Sequence, residues 1–128
     1  PNHAGHCRLI HGHNWSFEIT FVARERDACG FVVDFGKLHS VKDFFRQFDH
    51  SLVLNCGDPL LNDISLFLRN LGIENVVPVP DCSAEGLAAT VASAVHEIVG
   101  LETQGRVAVR KVVVFEDSKN SATWEAVP

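Results

Sequence analysis

Apolar and polar side chains alternate along residues 14–24 (NWSFEITFVAR). Trp15, Phe17, Ile19 and Phe21 share one parity, and Ser16, Glu18 and Thr20 share the other. A period of two with one apolar side predicts a half-buried antiparallel strand. Residues 25–30 read as a turn ended by Gly30, and residues 31–33 as a short return strand, which together predict a hairpin. The period then lengthens to that of a helix. Asp34 is placed to cap a helix running to about Phe48, with Leu38, Val41, Phe44, Phe45 and Phe48 on its apolar face. Asp58-Pro59 opens a second helix whose stripe is Leu60, Leu61, Ile64, Phe67, Leu68 and Leu71, with Gly72 as its stop. Residues 75–79 predict a short strand, closed by Pro78 and Pro80. Ser83 caps a third helix to about Val99, ended by Gly100. Residues 106–116 are strongly β-branched. Val107, Val109, Val113 and Phe115 are expected on one face, and Arg110, Val112 and Val114 on the other. Residues 121–127 follow as the hairpin partner. Strands at both ends and helices between them predict an α+β fold: a four-stranded antiparallel sheet of two hairpins with helices on one face.

The chain has 128 residues, of which 46% are hydrophobic and 21% charged, an ordinary composition for a single domain spanning 1–128. A formal net charge of -5 argues against a general nucleic-acid binder, and the apolar runs are too short for a spanning helix. The sequence begins at Pro1 and contains no Met, so its natural N-terminus is expected to lie further upstream. Cys7, Cys29, Cys56 and Cys82 form no CxxC pair and match no disulfide scaffold. Reduced thiols in a cytoplasmic protein are the expectation.

The chemistry concentrates near the start. His3, His6, His11 and His13 crowd around Cys7. His11 and His13 are two apart at the mouth of a strand, so both imidazoles point to one face, where they could share a zinc ion. Surface histidines at a strand start would give the same pattern. Cys7 is either a thiol made reactive by a nearby cation or a small buried apolar residue. The other three cysteines read as structural. Asp49 beside His50 could hold an imidazole tautomer for proton transfer, or simply end a helix. Glu116 closes a very apolar strand, which puts its carboxylate at the solvent rim or toward a ligand. Residues 117–120 read as a solvated turn.

Taken together, CRLIHGHNW (7–15), GFVVDFGKLH (30–39), FDHSLVLN (48–55), SAEGLA (83–88) and VVVFEDSKNSATW (112–124) resemble the 6-pyruvoyl-tetrahydropterin synthase / 6-carboxy-tetrahydropterin synthase family, in family order across nearly the whole chain. The resemblance implies a tunnelling fold (T-fold) whose subunits join as trimers, two trimers stacking into a hexamer, with active sites between subunits. It implies that His11 and His13 bind Zn2+, that Cys7 is the catalytic thiol, and that His50 with Asp49 forms the proton relay. Glu116 would anchor the pterin, and Ser83 would contribute to the pterin pocket. The short spacer between Cys7 and His11 is similar to that of the 6-carboxy branch, and a branch with glutamate in place of the cysteine is disfavoured. Two features depart from the pattern. The family's third zinc ligand would fall on a first strand before Pro1, with His3 or His6 as the alternative. The segment from Cys56 to Pro80 looks like an insertion.

The activity implied is a zinc-dependent lyase acting on 7,8-dihydroneopterin triphosphate. It would release triphosphate and acetaldehyde to give 6-carboxy-5,6,7,8-tetrahydropterin, a queuosine precursor. The 6-pyruvoyl product is the alternative with the same residues. No nucleic-acid or membrane partner is expected. A non-catalytic zinc-binding homologue and a thiol hydrolase using Cys7 and His50 remain open, because fold alone does not fix function.

Overall fold

The computed structural model describes residues 12–127. The first strand, β1 (Ser16–Ala23), keeps its predicted parity: Phe17, Ile19, Phe21 and Ala23 are half-buried while their neighbours are exposed. Its partner is not the segment that follows. β1 pairs antiparallel with β4 (Val107–Phe115), which pairs antiparallel with β5 (Ser121–Glu125), giving the order β1-β4-β5. Among the described residues the antiparallel sheet therefore has three strands rather than four, and one hairpin rather than two. The expected strand before Pro1 lies outside the described residues.

Residues 31–33 form no strand because a tight turn turns the chain away from the sheet. Asp27 Oδ1 accepts the N–H groups of Cys29 at 2.9 Å and Phe31 at 2.8 Å, and Gly30 sits at φ +84. Asp34 does cap, but it caps a 3-10 turn (Phe35–Lys37) by accepting the Gly36 N–H at 2.9 Å. The helix α1 then begins later than expected and is short (His39–Arg46). Its aromatic face reaches the sheet through Phe45, whose ring centroid lies 5.0 Å from that of Phe17.

A second correction concerns β4. The β1–β4 register slips between Thr20 and Phe21, where Thr20 faces Lys111 and Phe21 faces Val109. The extra residue is a bulge, and a bulge inverts the side-chain alternation beyond it. Val112 and Val114 thus join Val107 and Val109 in the core, at 2% exposure or less. Simple alternation had placed them on opposite faces.

Helix α3 (Ala84–Glu102) covers this sheet with Leu87, Ala88, Val91, Ala92, Val95 and Val99, the i, i+4, i+8 stripe of a buried face. The helix passes through Gly100. It ends where Gln104 and Gly105 take left-handed φ of 54 and 78 and the Gly105 N–H returns to the Gly100 carbonyl. Ser83 is its N-cap, accepting the Gly86 N–H at 3.1 Å. Gly86 has a packing reason: a Cβ there would lie 2.4 Å from the Asp81 Cβ.

Between α1 and α3 the chain forms a small parallel unit. β2 (Leu52–Asn55) runs alongside β3 (Val76–Val79), and α2 (Leu61–Asn70) connects them. β2 has no alternation to betray it, since all four residues are half-buried. Asp58 Oδ1 accepts the Leu60 N–H at 2.8 Å just before α2. Gly72 at φ +75 and the Ile73 N–H to Leu68 carbonyl bond close α2, as expected. No helix among the described residues is long and apolar enough to cross a membrane.

Candidate active site

The antiparallel pairing of β1 with β4 sets Ser16 opposite Phe115. The residues just before β1 therefore meet those just after β4. His13 Nε2 lies 2.8 Å from Glu116 Oε1, with the two side chains only 25% and 31% exposed. Trp15 flanks the imidazole at a centroid distance of 5.1 Å. The Glu116 backbone is fixed too, its N–H donating to the Asn120 carbonyl at 3.0 Å. Residues that are far apart in sequence thus form one polar corner.

This corner lines an open cleft of about 590 Å³, together with Asn14, Ser16, Asp117 and Ser118. That volume lies within the range of small-molecule sites. Asp117 organises the rim. Its Oδ1 accepts the N–H groups of Lys119 and Asn120, both at 2.7 Å, and its Oδ2 accepts Asn120 Nδ2 at 2.9 Å. These bonds, the Lys119 N–H first, hold its carboxyl below the usual carboxylate value. The sequence at 117–120 predicts only a solvated turn, whereas Asp117 and Ser118 line the cleft. The available signal was an Asp followed three residues later by Asn, directly after a strand-ending acid. A second cleft, about 290 Å³ between α2 and β3, gathers no comparable set of ionisable groups around Arg69 and Glu74.

The Asp49–His50 pair stands elsewhere, between α1 and β2, and does not line the cleft. His50 adopts φ 52, an uncommon conformation for a non-glycine residue. In this irregular turn adjacent side chains do meet, and His50 Nδ1 lies 2.8 Å from Asp49 Oδ1. Both are open to solvent, at 90% and 76% exposure. Ser83 is held at the α3 N-terminus, its Oγ engaged by the Gly86 N–H. Cys7 and His11 lie outside the described residues, as do His3 and His6.

Cys29 and Cys56 are exposed, and Cys82 is half-buried. Burial, and then the neighbouring Asp81, push the Cys82 thiol up, which is the opposite of activation. Among the described residues no three metal donors are gathered. His13 is the one expected ligand that is described. Its Nε2 faces the Glu116 carboxylate, an arrangement also found for the outer nitrogen of ligating imidazoles.

Comparison with known proteins agrees with this architecture. A solved structure of a Wolinella succinogenes protein superposes with a TM-score of 0.78 at 21% identity, covering 93% of this chain and 80% of the other, which shows the fold. A 6-carboxy-5,6,7,8-tetrahydropterin synthase of Rickettsia bellii is 41% identical over 58 residues, 44% of this chain. That match spans only 42% of the relative's length. An Aquifex aeolicus protein of the same name is 27% identical over 124 residues, covering 93% of this chain and 75% of the relative. The family model of 6-pyruvoyl tetrahydropterin synthase matches residues 1–126, and the chain belongs to that family.

Proposed function

We propose that the protein is a zinc-dependent lyase that converts 7,8-dihydroneopterin triphosphate and one water into 6-carboxy-5,6,7,8-tetrahydropterin, acetaldehyde and triphosphate, the water supplying the second carboxylate oxygen. The observation that carries this reading is the cleft at the β1/β4 end, where Glu116 and His13 are held together. A pterin presents an amino group and a ring N–H side by side, and one carboxylate accepts both, as it does from arginine. Glu116, at the cleft, would be that carboxylate. The names of the Rickettsia and Aquifex relatives support the 6-carboxy product.

Zinc, held by His11, His13 and a further ligand, would polarise side-chain hydroxyls as a Lewis acid. Cys7 would take a proton from the bound substrate as thiolate. His50 would move the second proton at Nε2, because Asp49 occupies Nδ1. Ser83 would sit at the margin of the pterin pocket through its hydroxyl. In this reading the exposed Asp49–His50 pair would serve the cleft of a neighbouring subunit, and among the described residues β1 and β5 are the outer strands of the sheet, where another copy would pair. A trimer or hexamer with shared sites, acting in the cytoplasm, is part of this reading. The name of the family model favours a second product, 6-pyruvoyl-tetrahydropterin, made by the same residues.

The test is product analysis with the zinc-loaded protein and 7,8-dihydroneopterin triphosphate. A 6-carboxy pterin with acetaldehyde is expected by mass. A 6-pyruvoyl pterin would select the second branch. No turnover with zinc bound and Cys7 reduced would overturn the lyase and leave a non-catalytic homologue.

A further inference from the structure

Helix α2 lies in the Cys56–Pro80 segment, to which the proposed chemistry gives no task. Among the described residues, half of the large hydrophobic side chains that stand exposed fall within residues 60–73: Leu60, Leu66, Phe67, Leu71 and Ile73. The helix itself has no fully buried residue. We infer that α2 is a docking surface for a second copy of this chain, with the two helices packed antiparallel across a two-fold axis. The inference uses neither the metal nor the pterin assignment.

The spacing of its apolar residues carries the argument. Leu60, Ile64, Phe67 and Leu71 follow one another by four, three and four positions, so they form one stripe along the helix. Leu60 and Leu71 are its two caps, and the stripe therefore runs from end to end. Leu60, Phe67 and Leu71 are 56%, 63% and 61% exposed, and Ile64 is half-buried. The polar side of the helix, with Asn62, Ser65 and Arg69, turns instead to the small cleft beside β3. A stripe spaced in this way reads the same in both directions. Antiparallel pairing sets Leu60 of each copy against Leu71 of the other, and Ile64 against Phe67, which is the self-matching that an isologous contact requires. Asp63 and Asn70 share one flank of the stripe, and the same pairing brings a carboxylate to an amide donor.

Area and charge select the occupant. Five side chains exposed to this degree present on the order of 500 Å² of apolar surface, near the top of the range for a monomer. Two copies would cover about 1,000 Å², the lower bound of a specific interface, so the contact is expected to depend on concentration. A lipid surface fits less well. The chain is acidic, with a net charge of -5, and the one cation of α2, Arg69, lines the cleft.

The experiment is sedimentation of the full chain over a range of concentrations, with thermal melting as a second readout. Phe67→Glu should halve the mass of the wild-type assembly and leave a folded protein. Leu101→Glu, at a 75% exposed position on α3, makes the same chemical change elsewhere and should leave the mass as it was. Leu60→Glu and Leu71→Lys should each act as Phe67→Glu does. Their double variant should reassemble at a lower concentration than either single variant, because antiparallel pairing puts the new carboxylate opposite the new ammonium. Within one chain those two positions lie at opposite ends of the helix and cannot meet. A mass unchanged by Phe67→Glu, or halved equally by Leu101→Glu, would overturn the inference. So would a Phe67→Glu variant that keeps its mass but melts earlier, since the stripe would then be covered by its own chain. A double variant that recovers nothing would overturn the antiparallel pairing. A wild-type chain that is monomeric at every concentration and binds phosphatidylcholine vesicles would give the face to a lipid surface instead.

Discussion

Among the described residues stand two histidine–carboxylate pairs at the same separation, 2.8 Å, in opposite settings. His13–Glu116 is made by strand pairing between the two ends of the chain and is mostly shielded. Asp49–His50 is made by one left-handed residue and stands almost wholly in water. An exposed ion pair contributes about 0–1 kcal/mol, so the second pair is not there to hold the fold. A residue in a left-handed backbone that stabilises little is a reasonable candidate for chemistry. The first pair is tied to the fold, and what disturbs the sheet should disturb it.

The largest effect that separates the pairs should come from His50→Ala. If His50 moves a proton in the reaction, kcat falls by about 10²–10⁴-fold. The melting temperature should stay within the scatter of a surface substitution, because the imidazole is 90% exposed. A fall in both would show that the turn is structural. An unchanged kcat would remove His50 from the mechanism.

Next comes Val114→Ala, on the buried face of β4 beside the Phe115–Glu116 corner. Losing buried methyl groups at a fully buried position should cost about 2 kcal/mol in chemical denaturation. The same variant should loosen His13–Glu116, read as weaker zinc binding, while leaving the Asp49–His50 turn intact in amide exchange. Equal loss of protection in both regions would mean that they unfold as one unit.

Smaller again is Ser83→Ala, which removes the α3 cap and should cost about 1 kcal/mol. If capping is all that Ser83 does, KM for the pterin substrate stays unchanged while the melting temperature drops. A raised KM would restore its place in the pocket.

These contrasts also explain what could be read from sequence. The parity of β1, the Ser83 cap and the Gly72 stop are local features, and the structure keeps them. The reversal of Val112 and Val114 was not legible, because a bulge is a property of two paired strands. β2 was not legible because an evenly half-buried apolar run has no period. Phe31–Val33 had strand-forming residues, but the Asp27 turn carried them away from the sheet. In the candidate site, Glu116 could be singled out as an acid ending an apolar strand and His13 as one of two spaced histidines, but their contact could not. His13 and Glu116 meet only through the β1–β4 pairing. Asp49 and His50 were visible as neighbours, but adjacent residues in regular structure face apart, and the left-handed turn that unites them has no clear signature.

The smallest effect concerns two turns that share one device. Asp27 closes the turn after β1, and Asp117 closes the rim of the cleft. Each carboxyl is held below its ordinary 3.8 by backbone N–H donors, Phe31 first for Asp27 and Lys119 first for Asp117. A carboxyl whose native value is lowered binds protons less readily folded than unfolded. Its contribution is therefore present above the ordinary value and is lost as pH falls through the lower native one. Asp27→Asn and Asp117→Asn should each make the acid limb of a stability–pH curve shallower below about pH 4. Above that range the effect should be flat. The two should part in binding: only Asp117→Asn, at the rim beside Glu116, should weaken neopterin binding at neutral pH. If both variants left binding intact, Asp117 would be a turn residue and nothing more, and the recognition surface of the cleft would reduce to Glu116 and the residues before β1.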